Sequence, residues 1–360
     1  MIGPRCPTDC STLLEPGRNP TLPNPHRRDP EMIVEPLRLG FVGAGEMATF
    51  AVYPALHLAP IQLRALCDVD EERARAAAGK FGTGRWYTDY RRMWEEEDLE
   101  AVVVQMHPRP RQAIVREALE AGLHVFVPKP PAPSLDATIE LSELSRRTGR
   151  TLMVNFQRRF SFGIVRARQI MAEPSFGGLR QLLCSFCSGA YDERRGRDYD
   201  GPVHAYVLDF AVHHLDLARH LGGEVRRLCL FHSEREGRIA LAVALEFESG
   251  AVGSVQLNSE RIWWRNYDRV EITGHGEYVV LDGLWSVRRY TGDGNTFTEN
   301  YSDQRSAELT GDGTALVEFA RAIREGREPA ASVHDAVGTM RLYQAIYDAI
   351  GQGRDGVIPI

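Results

Sequence analysis

Hydrophobic positions fall into two textures along this 360-residue chain. Short apolar runs at 37–42, 62–67, 101–104, 123–127 and 151–154 alternate with amphipathic stretches at 70–81, 111–121 and 134–147. A helical stretch also follows the first run. Apolar runs of four to seven residues read as buried strands, and helix-period segments between them as crossovers. Strict strand–helix alternation predicts a doubly wound parallel sheet covered on both faces.

After about Asn155 the alternation stops. A helix at 160–172, a strand at 179–188 and a polar loop at 189–202 lead to a helix at 205–221. Strand-like runs follow at 225–232, 239–248, 251–259, 269–273, 277–281 and 286–290, with Ser249-Gly250 as a hairpin turn. Helices at 313–325 and 333–350 close the chain. Many strands with few helices predict an α+β domain around one large, open, mostly antiparallel sheet. The expected division is a tail at 1–36, an α/β domain at 37–157 and an α+β domain at 158–360. The tail holds eight of the 20 prolines and no apolar core of the signal-peptide kind, so it reads as flexible.

Net charge is −6, which gives no electrostatic reason to expect nucleic acid or an anionic membrane as partner. No apolar run reaches the roughly 18–20 residues of a membrane helix. Six cysteines in a chain this long suit a reducing cytoplasm rather than a disulfide scaffold. Cys184 and Cys187 form a C-x-x-C, but in a strand positions three apart face opposite ways, so no metal site is expected there. Of 43 basic side chains only Lys80 and Lys129 are lysines.

Three stretches carry chemistry. Gly43-Ala44-Gly45-Glu46-Met47-Ala48 has the G-x-G-x-x-A form between a strand and a helix. The first glycine permits the turn, the second lets main chain approach a pyrophosphate, and the helix start favours an anion. Asp68 ends the second strand, 23 residues after Gly45, where a carboxylate can accept ribose hydroxyls. Val127-Pro128-Lys129-Pro130-Pro131 follows a strand of the same sheet, so proline stiffens the segment that aims the lysine. Lysine's pKa shifts readily on burial, a property arginine lacks. In the third stretch Asp209, His213, Asp216 and His220 are spaced to share one helix face, with Leu208, Val212, Leu215 and Leu217 toward the core. A carboxylate beside an imidazole raises its basicity. A metal site or a purely structural polar face are the competing readings of that stretch.

Together these elements resemble the Gfo/Idh/MocA oxidoreductases over about nine-tenths of the chain. The resemblance rests on Gly43-x-Gly45, Asp68, Lys129-Pro130, Gln157-Arg158-Arg159-Phe160 and Asp209-x-x-x-His213-x-x-Asp216. Tyr267-Asp268 running into Arg269-Val270-Glu271, Glu318-Phe319 and Asp335 fit it as well. It implies a Rossmann domain, an open-sheet second domain, NAD or NADP, and substrates that are mostly sugars, cyclitols or their nucleotide derivatives. It also implies that Lys129, Asp209 and His213 face the nicotinamide and the reacting carbon. The chain departs from the family pattern at Pro128, which replaces a glutamate, and at Gln105-Met106-His107 and Arg111, which replace Ala-Thr-Pro and a histidine. Val203-His204 stands where a Gly-Gly pair is common.

The expectation is a cytoplasmic NAD-dependent dehydrogenase, with NADP as the alternative cofactor, acting on a secondary hydroxyl of a sugar or cyclitol. His213 takes the hydroxyl proton with Asp209 tuning it, and Lys129 binds the same oxygen. Gly43, Gly45, Glu46, Met47, Asp68, Arg73, Gln105 and Lys129 are the cofactor contacts. Arg158, His204, Tyr206 and Tyr267 hold other substrate hydroxyls, and Trp263 or Trp264 could stack on a ring. Rival readings are a non-catalytic sugar sensor of the same fold, a glycosidase-like enzyme cycling tightly held NAD, and a reductase of nucleotide-linked keto sugars. Strand faces such as Leu241/Val243/Leu245 and Val252/Ser254/Gln256 ask for cover, which symmetric pairing into a homodimer or homotetramer supplies.

Overall fold

The computed structural model describes residues 35–188, 199–260, 267–301 and 310–360. Trp263, Trp264, the tail to residue 34 and most of the loop after β7 lie outside the described residues.

Strands β1 (Leu37–Val42), β2 (Ile61–Cys67), β3 (Trp86–Tyr87), β4 (Ala101–Val104), β5 (His124–Pro128) and β6 (Leu152–Asn155) form one sheet. Its order is β3-β2-β1-β4-β5-β6, parallel throughout. Every residue of β4 is fully buried, as covering helices on both faces require. The crossover helices are punctuated by their caps. Asp70 accepts from Arg73 N before helix Glu71–Phe81, and Ser134 accepts from Ala137 N before helix Leu135–Thr148. Strand order reverses where β1 lies between β2 and β4, and ligands of such sheets bind beyond the strand ends there.

The run after Gly45 is helical but irregular. A π-helical segment Ala48–Val52 passes through Tyr53–Ala55 into a 3-10 turn, Leu56–Leu58. Pro54 has no N–H to continue a regular ladder.

The second sheet has nine strands in the order β14-β13-β12-β11-β7-β10-β9-β8-β15. They are β7 (Gln181–Cys187), β8 (Val225–Arg235), β9 (Arg238–Phe247), β10 (Val252–Asn258), β11 (Tyr267–Thr273), β12 (Tyr278–Asp282), β13 (Ser286–Tyr290), β14 (Thr296–Asn300) and β15 (Gly356–Pro359). All neighbours are antiparallel except β7 and β10, whose parallel pairing lies inside the sheet. Leu241, Val243 and Leu245 sit on its covered face. They are therefore not the residues that need a partner. The opposite face carries Ala240, Ala242 and Ala244 on β9, with Phe231 and Gln256 flanking Ala242 on β8 and β10.

A buried ion network joins the two halves. Arg159, in the turn after β6, donates from Nε to Asp216 Oδ2 at 2.7 Å and from Nη1 to Ala330 O at 2.8 Å. Its Nη2 reaches Asp216 and Asp335, the latter at 2.5 Å. Thr339 donates to Asp216 Oδ1 at 3.1 Å, and Arg219 donates to Thr339 at 3.0 Å. The turn, helix Val212–Gly222 and helix Val333–Gly351 are thereby locked together. Removing one partner of a buried pair strands the other charge, at about 3–5 kcal/mol. Asp216→Ala should lower the unfolding free energy by that order in urea titrations; a loss below about 1 kcal/mol would place the locking elsewhere.

Candidate active site

The glycine turn is built by close approach. Gly43 has φ of 105°, and a Cβ there would stand 2.2 Å from the Gln105 carbonyl oxygen, so no other residue fits. At Gly45 a Cβ would meet nothing within 4 Å, leaving main chain beside open space where a pyrophosphate could approach. Glu46 and Met47 follow on the exposed side. Asp68 holds this turn: Oδ2 accepts from Ala44 N at 2.8 Å, and Oδ1 accepts from Asp70 N at 2.9 Å. Arg73 bridges Asp68 at 3.1 Å and Asp70 at 3.2 Å. The Gln105 side-chain oxygen is buried with no hydrogen-bond partner among the described residues. A tight turn, an open main-chain face and a carboxylate at the end of β2 fit a dinucleotide.

Lys129 follows β5 directly. Its ammonium lies 2.5 Å from Asp209 Oδ1, also reaches the Asp209 carbonyl, and stands 5.7 Å over the Phe210 ring. Both ionised side chains are one-fifth exposed or less, so the pair borders solvent without being immersed in it. Burial pushes the Lys129 pKa down, Asp209 opposes this, and Arg158 and Arg111 add to it.

Asp209 comes from a π-helical segment, Tyr206–Ala211, between helix Pro202–Ala205 and helix Val212–Gly222. The wider turn breaks the regular spacing that would put Asp209, His213, Asp216 and His220 on one face. Asp209 faces Lys129, Asp216 faces Arg159, and His213 Nδ1 is buried with no hydrogen-bond partner among the described residues. The hydrogen bonds of Asp209 go to Lys129, so the expected Asp209–His213 pairing is replaced. Burial, then Arg158, Lys129 and His214, hold the His213 pKa well below its ordinary value. His220 is likewise buried and depressed, by burial and by Arg159, Arg168 and Arg219.

The four residues expected to hold substrate are spread out. Arg158 pairs with Asp268 through Nε at 3.2 Å and lies over the Phe186 ring at 5.2 Å. His214, fully buried and stacked on Phe186, binds the same Asp268 oxygen through Nε2 at 2.7 Å. Burial raises the Asp268 pKa, but Arg158 and His214 outweigh it and hold the carboxyl well below the usual range. Sequence spacing offered no hint of this Asp268–His214 contact, since the two come from β11 and a helix.

His204 sits apart from that cluster. Its Nδ1 accepts from Asp200 N at 2.8 Å and its ring stacks on Tyr347 at 4.8 Å. It lines a cavity of about 610 Å³ with Asp200, Glu234 and Tyr347. Tyr206 is buried, and burial raises its phenol pKa. Tyr267 opens β11 opposite Cys187.

Among the described residues no group of three or more His, Cys, Asp or Glu is placed to hold a metal ion. Cys184 is buried, with its thiol pushed up to about 12 by burial. Cys187 Sγ accepts from Asn258 at 2.9 Å. No described helix is long and apolar enough to cross a membrane.

Turn, carboxylate and lysine stand at the carboxyl ends of β1, β2 and β5, which is the layout of a dinucleotide-dependent oxidoreductase. Comparison with known proteins agrees. Residues 37–156 match the oxidoreductase family with NAD-binding Rossmann fold, and residues 164–279 match the GFO/IDH/MocA C-terminal domain. The chain belongs to the Gfo/Idh/MocA family of oxidoreductases. It is 26% identical to a D-xylose 1-dehydrogenase (NADP(+)) of Haloferax volcanii over 88% of this chain and 98% of that one. It is 25% identical to a myo-inositol 2-dehydrogenase of Thermotoga maritima over 88% and 97%. The crystal structure of a dehydrogenase from Chromobacterium violaceum superposes with a TM-score of 0.83 at 23% identity, covering 89% and 97%.

The Asp68 carboxylate disfavours a 2′-phosphate beside it, and Arg73 is already committed to Asp68 and Asp70. NAD should therefore bind more tightly than NADP. Calorimetric titration giving NADP the lower Kd would reverse this assignment.

Proposed function

We propose that the protein oxidises a secondary hydroxyl of a sugar or cyclitol, or reduces the matching ketone, with NAD as partner. The observation that carries this is the Lys129–Asp209 pair, a lysine at the carboxyl end of β5 meeting a carboxylate from the π-helical segment Tyr206–Ala211. The substrates in the names of the xylose and inositol relatives support the substrate class. Sparse cysteine, with Cys67, Cys184, Cys187 and Cys229 free among the described residues, supports a cytoplasmic setting.

When bound, the nicotinamide supplies the hydride acceptor for oxidation or the donor for reduction. Gly43, Gly45, Glu46, Met47, Asp68, Arg73 and Gln105 are the residues that would hold the dinucleotide. Lys129 binds the reacting oxygen and moves its proton. Its lowered pKa suits proton exchange nearer neutrality than a free lysine allows. Asp209 fixes the ammonium and keeps part of its basicity. Burial and the Arg158 and Lys129 cations act on His213, so an imidazolium there is disfavoured. A neutral His213 orients the substrate hydroxyl by hydrogen bonding while Lys129 takes the proton. Arg158, anchored by Asp268, borders the same site and is the candidate for a second hydroxyl.

Reduction of NAD followed by absorbance across a panel of sugars and cyclitols tests the proposal. No turnover with any of them, alongside intact sugar binding, would favour the sensor. Lys129→Ala and His213→Ala should each lower kcat by about 10²–10⁴-fold while NAD still binds. Lys129→Arg should be nearly as poor, because a guanidinium does not exchange its proton in this range. Asp209→Asn removes the anion that raises the Lys129 pKa, so the Lys129 limb of the rate profile should move to lower pH. Near-parental kcat in both Lys129→Arg and His213→Ala would show the site to be wrong.

The outer face of the second sheet, with Ala240, Ala242 and Ala244 beside exposed Phe231, is flat and small-chained. Symmetric pairing over it gives a homodimer or a dimer of dimers. Light scattering at micromolar concentration should return a multiple of 40.4 kDa; a stable monomer would exclude this pairing.

A further inference from the structure

Arg111 is a buried cation that forms no ion pair among the described residues. It lies in the first turn of helix Pro108–Glu120 and is 1% exposed. Nη1 donates to Met106 O at 2.7 Å, and Nη2 donates to Pro130 O. Its Nε is buried with no hydrogen-bond partner among the described residues. Among the described residues no acidic group forms a hydrogen bond or ion pair with it. A single guanidinium thus ties the exit of β4 to the residue that follows Lys129.

Such an arrangement is expensive. A buried charge costs several kcal/mol unless paired. Two carbonyls could be bridged by a neutral amide or a water at far lower cost. Burial pushes the Arg111 pKa down to about 10, so the group is still charged at neutral pH. A costly fixed charge is retained behind the lysine that the proposed chemistry uses.

The charges facing Lys129 come from four elements. Asp209 lies on the π-helical segment, Arg158 in the turn after β6, and Arg111 on the helix after β4. His213 lies on helix Val212–Gly222 and is neutral. Asp209 favours the ammonium, whereas Arg158 and Arg111 disfavour it. Arg158 is neutralised by Asp268, to which it is paired. Arg111 forms no ion pair among the described residues, and Asp209 is the carboxylate whose charge acts on it as well as on Lys129.

We propose that Arg111 is a positioning residue of this active site, which fixes the Lys129 segment through the Pro130 carbonyl and sets a buried positive charge behind the lysine. The assignment rests on Lys129 as the proton-transferring group, but its electrostatic core can be read without any substrate.

The composition of the chain makes that measurement direct. Lys80 and Lys129 are its only lysines. Protein grown with ε-13C lysine therefore gives two side-chain resonances, and Lys80→Arg assigns them. In Arg111→Gln the Lys129 titration should move to higher pH, while NAD affinity stays within about twofold, since Arg111 touches neither the glycine turn nor Asp68. Arg111→Met is the second neutral variant. It removes the charge with an unbranched side chain and adds no buried polar group, so it serves if the glutamine protein does not fold. Once a turned-over sugar is known, the rate limb should follow the resonance in both variants. A folded, NAD-binding neutral variant whose Lys129 resonance titrates at the parental pH would overturn the proposal. A displaced resonance in a protein that oxidises no sugar would instead overturn the assigned function and leave the electrostatic link standing.

Discussion

The contact between Lys129 and Asp209 places a demand on most of the molecule. An ammonium from the end of a parallel strand and a carboxylate from a helix over another sheet must meet at 2.5 Å. Partial withdrawal of both from water costs free energy that only good geometry returns. The fold meets that demand from both sides. Pro128 and Pro130 restrict the lysine segment, and Arg111 holds the Pro130 carbonyl. On the other side Asp216, one turn beyond His213, is gripped by Arg159 from the first sheet. The grip fixes how helix Val212–Gly222 sits against β6, and hence where Asp209 can reach.

The π-helical segment is the adjustment between those two anchors. A regular helix would carry Asp209 and Asp216 on one face, but their partners lie on different elements of the other half. One extra residue per turn rotates Asp209 relative to the helix that follows, so each acid meets its own cation. The segment is also buried at Tyr206, Val207 and Leu208. Packing therefore pays for the poorer hydrogen-bond geometry.

How much of this was legible in the sequence depends on what each residue reports. β1, β4, β5 and β6 were readable because burial on both faces leaves unbroken apolar runs. The glycine turn and Asp68 were readable because main-chain geometry demands glycine at Gly43. β3, β14 and β15 were not: two residues, a polar Thr-Phe-Thr-Glu-Asn edge, and a four-residue strand with a proline carry little pattern. The alternation in β9 was visible, but alternation does not say which face is covered, and the leucine face proved to be the inner one. The Lys129–Asp209 contact spans 80 residues, and the Asp268–His214 contact spans 54. Partners so distant leave no mark in local spacing, so a helix-face argument paired Asp209 with His213 by default.

The distribution of charge explains why histidine is the weaker base here. Asp209 and Asp268 are each matched by one cation, Lys129 and Arg158. Arg111 remains over among the described residues, and no carboxylate acts on His213 among the groups that shift it. In the proposed reaction the substrate oxygen therefore meets more buried cation than carboxylate. That excess opposes an imidazolium, depresses the Lys129 ammonium, and would stabilise negative charge developing on the oxygen. A second carboxylate beside His213 would raise its basicity and weaken the oxyanion. The proposed chemistry holds an alkoxide and passes its proton to the group whose affinity for it the same charges have lowered.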